Sequence, residues 1–353
     1  MKIKFFNPIH YFVLSVLLLM PATLVWGQEN IRTIEKNFPL SDQGSVEIQN
    51  RYGSISLEHW DREEVAFLVT ITAEGKDSDV LDQIDIDFQV LQDEVRAKTE
   101  IDNTRNSWWN PFKQNNQNFS INYRVQLPKT AKVTLDNAYG NIYWEETDGP
   151  TAIKCAYGRI EIGVLNHSSN RITLKYAPNS AIDFIAGGSI QADYSGIRVN
   201  EAGAIKLTAD YSKSRFDRIQ QLDFEADYGS IRADEIGRIT GNADYLSLKI
   251  GTLTKGLDLS MDYGGLGIEN IQASTEEIAI VSDYTGIRLN ADADWDFAFT
   301  VETQYAGFKT DFPLEYRRKI IETTDQFFQG THKEGKNTLT IKADYGSIKL
   351  YQN

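Results

Sequence analysis

A tyrosine recurs along this chain at nearly constant spacing. In the pattern x-Tyr-Gly/Ser-x-Ile and its decayed forms stand Tyr139, Tyr157, Tyr176, Tyr194, Tyr211, Tyr228, Tyr245, Tyr263, Tyr284 and Tyr305, at intervals of 17 to 21 residues. Outlying copies occur in NRYGSISLEHW (Tyr52) and ADYGSIKLY (Tyr345). A fixed period over so many units marks a repeat architecture, because each unit is too small to bury a face alone and must stack on its neighbours.

Within AIKLTADYSKSRF, the apolar Ile205, Leu207 and Ala209 alternate with Lys206, Thr208 and Asp210, which is the period of a strand. After the tyrosine the phase slips: in YGSIRA the apolar Ile231 and Ala233 lie at odd offsets from Tyr228. A slip at Gly-Ser reads as a bulge or corner, where glycine supplies backbone freedom. Each unit is therefore strand, corner, strand, turn. It is too long for a hairpin repeating in place, and no helical run lies between units to make a βαβ crossover. The fold class expected is all-β: a single-chain parallel β-solenoid of about ten to twelve coils of 17–21 residues, with neighbouring coils about 4.8 Å apart. Alternation places the tyrosines inward at the corner, stacked coil on coil, with Ala192, Ala209, Ala226 and Ala243 two positions earlier leaving room for the rings. An exposed aromatic ladder is the other outcome.

Both ends of such a stack are open sheet edges and need covers. Residues 28–130 read as an N-terminal β-rich cap, with strands in GSVEIQNRYGSISLEHW, EVAFLVTITAEG, IDIDFQVLQDEVRAKTEI and NFSINYRVQLP and a short helix at SDVLDQ. Repeats fill 131–310. Residues 311–353 read as a flap, inserted where the period breaks, followed by a C-terminal coil. Residues 1–27 read as a cleaved signal peptide: Lys2 and Lys4, an apolar run to Met20, Pro21, then Val25 and Gly27 before Gln28. The apolar run is interrupted and short for a spanning helix, so no transmembrane anchor is expected in the mature chain.

The formal net charge is −14, and loss of Lys2 and Lys4 with that segment takes it to −16. Nucleic acid and anionic membranes are poor partners for such a surface. The one cysteine, Cys155, excludes an internal disulfide and sits where other units carry alanine, as a buried filler. His59, His167 and His332 are scattered through unrelated contexts, which argues against acid-base or nucleophilic catalysis. No catalytic, cofactor or metal residue is assigned.

Two charge columns accompany the tyrosines. One residue before them stand Asp193, Asp210, Asp227, Asp244, Asp262 and Asp283, and again Asp344; four after them stand Arg198, Arg215, Arg232, Lys249, Arg288, Lys309 and Lys349. Carboxylates one coil apart repel, so the expectation is an ion-pair ladder joining the two columns across the corner, with a row of calcium sites as the runner-up. In NTRNSWWNPFKQNNQNF, Trp108 and Trp109 lie in a polar stretch and are candidate partner-binding residues.

The layout resembles the putative-adhesin β-strand-repeat proteins of bacterial envelopes, related to head GIN adhesin-like domains. The features that carry the resemblance are GSVEIQNRYGSISLEHWDREEV, VQLPKTAKVTLDNAYGNIYWEETDG, the successive ADYGSI units and the closing NTLTIKADYGSIKLYQN. The resemblance implies export to the periplasm or cell surface and a right-handed β-helix-like fold, and it brings no catalytic residues. The function expected is that of an exported, non-enzymatic, adhesin-like protein presenting a repetitive surface to an envelope protein or a glycan. The alternative is a polysaccharide lyase or another carbohydrate-active β-helix enzyme, which would need a cleft walled by long loops.

Overall fold

The computed structural model describes residues 29–74, 78–102 and 119–353. The expected signal peptide and Trp108 with Trp109 lie outside the described residues. The fold is all-β: among the described residues the only helical element is a 3-10 turn, Ser78–Gln83.

The first strands are β1 (Glu29–Pro39), β2 (Ser45–Arg51), β3 (Ile55–His59), β4 (Glu64–Glu74), β5 (Ile84–Leu91), β6 (Glu94–Ile101) and β7 (Phe119–Leu127). The four segments expected to be extended are so, and β1 is a strand that alternation had not singled out. Through the repeats run β8 (Lys132–Ala138), β9 (Ile142–Thr147), β10 (Thr151–Ala156), β11 (Ile160–Leu165), β12 (Asn170–Lys175), β13 (Ser180–Asp193), β14 (Gly196–Asp210), β15 (Lys213–Asp262), β16 (Gly265–Ile271), β17 (Glu277–Asp283), β18 (Gly286–Ala291) and β19 (Phe297–Thr310). Last come β20 (Glu315–Ile321), β21 (Asp325–His332) and β22 (Asn337–Gln352).

Residues one period apart are hydrogen-bonded partners in parallel register. Before the tyrosine, Ile153 pairs with Ile172, Ile172 with Ile190, Ile190 with Leu207 and Leu207 with Phe224. After it, Ile142 pairs with Ile160, Ile162 with Ile182, Ile182 with Val199 and Val199 with Phe216. Two ladders result, joined at the tyrosine corners. The side chains just named are all buried between them. Burying an Ile, Leu or Phe side chain contributes about 1.5–3 kcal/mol, so each added unit supplies its own share of the core.

The ladder before the tyrosine is bounded by antiparallel strands at both ends. At one end β5 pairs with β6 and β6 with β2; at the other β19 pairs with β21 and β21 with β20. The second ladder begins at β1, β4 and β7 on β3. Aromatic plugs close the core below these covers: Phe38, Phe67 and Phe88 at the first end, and Trp295, Phe297, Phe312 and His332 at the second.

The strand that follows the β20–β21 hairpin is not the outermost layer. Strand β22 pairs with β17 and β18 on one side and with β19 on the other, so it lies between two units that precede it in the chain. The outermost unit is that of Tyr305, covered by the β20–β21 hairpin. The units share one register pattern, and β22 carries the full ADYGSI motif, whereas β19 has Gln304 in place of the aspartate.

Candidate functional site

The tyrosines make the most regular feature of the surface, and they are outside. Eleven of the twelve are 42–55% exposed, and Tyr52 is half-buried. All twelve have positive φ, between 47° and 62°. Alternation assumes extended residues throughout, and a single left-handed residue breaks it. The phase slip therefore falls at the tyrosine itself, and the next residue points inward. The small residues two positions earlier fill the narrow inside of the corner and do not make room for rings.

In spatial order the column runs Tyr52, Tyr139, Tyr157, Tyr176, Tyr194, Tyr211, Tyr228, Tyr245, Tyr263, Tyr284, Tyr345 and Tyr305. Successive ring centroids are 4.7–5.2 Å apart, with planes within 16° of parallel. Tyrosine amides help to hold this geometry by donating to a carbonyl of the next layer, as Tyr194 N does to Asp210 O (3.0 Å) and Tyr211 N to Asp227 O (2.9 Å). Behind the ring, buried hydroxyls staple adjacent corners. Ser212 Oγ donates to Asp210 O (2.7 Å) and accepts from Ser195 N (3.0 Å). Thr285 does the same kind of work further along, donating to Met261 O (3.2 Å).

The aspartate column stands beside the rings in seven of the twelve layers. Asp193 faces Asp210, Asp210 faces Asp227, Asp262 faces Asp283 and Asp283 faces Asp344. The expected ion-pair ladder across the corner is not present. Within this column, among the described residues, only Asp193 has a cation, Lys175 at 3.7 Å. The arginines bind other acids on their own face: Arg198 and Arg215 both reach Asp217 (2.6 and 3.1 Å), and Arg215 and Arg232 both reach Asp234 (2.8 Å each). Those aspartates lie two residues along the same strand face, closer to a guanidinium than anything around a corner. Lys249 and Arg288 form no ion pair among the described residues, and Arg288 lies over the Tyr351 ring.

Left unpaired, the acid column is electrostatically strained. Partial burial, then the neighbouring charges of Asp227 and Asp193, hold the Asp210 carboxyl above its ordinary value. Burial and the adjoining rings and carboxylates push the Tyr228 and Tyr345 phenols up as well. A shallow groove of about 540 Å³ runs along the two columns, lined by Lys175, Gln191, Asp193, Asp210 and Asp227 and by the rings from Tyr176 to Tyr228.

The remaining polar candidates are structural. Cys155 is buried, its thiol pushed up to about 12 by burial. His332 is buried between Phe297 and Phe312, its ring nitrogens near the carbonyls of Pro313 (3.2 Å) and Ala293 (3.4 Å). His167 Nδ1 accepts from Ser169 N (3.0 Å), and His59 is exposed. Among the described residues no three His, Cys, Asp or Glu side chains converge as metal ligands, and no helix is long and apolar enough to cross a membrane.

No protein-family model and no curated protein sequence matches the chain. Solved structures do resemble it. A "putative adhesin" from Parabacteroides distasonis is 9% identical, with 91% of this chain and 97% of that one covered and a TM-score of 0.34. Another from Parabacteroides merdae is 9% identical over 90% and 96%, with a TM-score of 0.31. A "putative lipid binding protein" from Parabacteroides distasonis is 12% identical over 93% and 98%, with a TM-score of 0.32. The adhesin descriptions are of the kind that the sequence resemblance names. Likeness at this level leaves the function of this chain to be argued from its own surface.

Proposed function

We propose that the chain is an exported, non-enzymatic, adhesin-like β-solenoid of about ten to twelve coils of 17–21 residues, which presents its tyrosine and aspartate columns for binding or structural work in the bacterial cell envelope. The partner class is an envelope protein or a glycan. The observation that carries the reading is the repeated left-handed tyrosine. A bulky residue at positive φ costs roughly 1–2 kcal/mol, and glycine or asparagine would avoid that cost at every corner. Strain repeated layer after layer on an exposed ring, beside a column of carboxylates of which Asp193 alone has a counter-ion among the described residues, is what a surface under selection for contact would carry.

Retention of the purified protein on isolated envelope fractions and on a glycan array tests this. Tyr194→Asn, Tyr211→Asn and Tyr228→Asn together remove rings while keeping a residue that tolerates the left-handed corner. Retention should fall at least tenfold with an unchanged circular dichroism spectrum. Equal retention of the variant, or none by the wild type, overturns the proposal. Trp108 and Trp109 are proposed as a second contact: alanine at both should weaken retention without moving the melting temperature, and a large loss of stability would make them part of the N-terminal cover instead.

A further inference from the structure

Two stripes of opposite charge flank the tyrosine ladder at the same pitch. Aspartates stand one residue before the corner in seven layers, six of them without an ion pair among the described residues; Arg198, Arg215, Arg232, Lys249, Arg288 and Lys349 stand four residues after it, on the other ladder. We infer that the tyrosine corner is the interface of a parallel two-fold dimer, with a second copy of this chain as its occupant. The inference rests on the reading of this surface as a contact surface, and names the partner.

Symmetry and charge select the arrangement. A two-fold axis parallel to the stack of layers brings corner against corner at the same level and exchanges left for right. The acid stripe of one copy then faces the basic stripe of the other, layer by layer: Asp210 opposite Arg215, Asp244 opposite Lys249, Asp283 opposite Arg288. In six of the twelve layers the facing positions carry opposite charges, and in none do they carry like charges. The antiparallel dimer sets acid stripe on acid stripe and is disfavoured. An isologous contact of this kind closes on itself and leaves no open end to polymerise.

Area and ring geometry agree. Side chains of this size bury about 150–250 Å², so eleven half-exposed rings offer roughly 1,000 Å² or more, above the ~800 Å² per partner of a standard interface. Ring faces are already covered by neighbouring rings, and the strip presents edges and hydroxyls. A sugar ring seeking an aromatic face finds one only at the ends of the stack. A second strip of the same pitch meets edges and hydroxyls in every layer, and brings cations to a carboxylate column in which, among the described residues, Asp193 alone has one.

Sedimentation equilibrium of the purified protein at micromolar loading should give a dimer mass. Tyr211→Asn, Tyr228→Asn and Tyr245→Asn together should weaken association at least tenfold with the fold intact by circular dichroism. Independently of the rings, Asp244→Lys with Asp283→Lys, and separately Lys249→Asp with Arg288→Asp, should each weaken it at least tenfold, and mixing the two variants should restore a heterodimer. For orientation, Tyr52→Cys and Tyr305→Cys should each form disulfide-linked dimers alone. Crosslinking only when the two are mixed overturns the parallel arrangement, and a monomeric wild type overturns the dimer. A monomeric wild type whose ring variants still lose envelope retention leaves the binding surface standing without self-association; ring variants that change neither property remove both.

Discussion

Each ladder tyrosine carries two opposed local energies. Its left-handed backbone costs roughly 1–2 kcal/mol, while each offset ring contact returns about 0.5–1.5 kcal/mol beyond burial. Tyr228 has two such contacts, with Tyr211 at 4.8 Å and Tyr245 at 4.7 Å. Tyr228→Ala forfeits both and keeps the strained backbone. Tyr228→Asn forfeits both but sits more easily at positive φ. Denaturant titration should therefore rank wild type above Asn and Asn above Ala, with Asn ahead of Ala by about 1 kcal/mol. Alanine equal to or better than asparagine would mean that the corner is held wholly by its neighbours. This conformation was not legible in the sequence. Tyr228 falls on the same side as Ala226 under simple alternation, and only the misplaced Ile231 betrayed a break whose position was one residue off.

At the scale of the element, close approach between layers decides which corners tolerate a side chain. A Cβ on Gly229 would lie 2.1 Å from Ser212 O, a backbone atom that cannot swing aside, whereas one on Gly286 would meet nothing within 4 Å. Gly229→Ala should cost on the order of 2 kcal/mol or more, and Gly286→Ala should stay within about 0.5 kcal/mol. Equal thermal melts for the two variants would contradict the packing described. Strand registers were the legible part, because Ile172, Ile190 and Leu207 recur at the period that pairs them. Ion-pair partners were not. Arg215 stands five residues from a corner aspartate in sequence, yet its guanidinium fork reaches Asp217 and Asp234 on its own face. The insertion of β22 was equally hidden, since one ADYGSI unit fits between any two others.

Across the whole molecule the acid stripe works against the fold. Neighbouring carboxylates about 4.8 Å apart repel by roughly 0.9 kcal/mol even in water. The raised Asp210 carboxyl gives the sign: in the folded state the neutral form is favoured, so its stabilising contribution is complete below the ordinary 3.8 and is lost as pH rises through the raised value. Asp210→Asn should accordingly raise the melting temperature at pH 7, and the gain should vanish as pH falls towards about 3. A lower melting temperature for Asn at pH 7 would contradict this. Added salt, by screening the stripe, should stabilise the monomer too.

The seating of β22 has another consequence. With that strand held between the units of Tyr284 and Tyr305, and the β20–β21 hairpin closing the outside of the ladder before the tyrosine, no layer can be added to that ladder at this end without unseating the closure. At the other end β6 on β2 and β7 on β3, each backed by an antiparallel strand, impose the same restriction. Lineages that lengthen or shorten this molecule must do so by gaining or losing whole units between Tyr139 and Tyr284, where each new layer inherits a ring, a carboxylate and a partner above and below. Length can drift there in steps of one repeat, while both ends stay fixed.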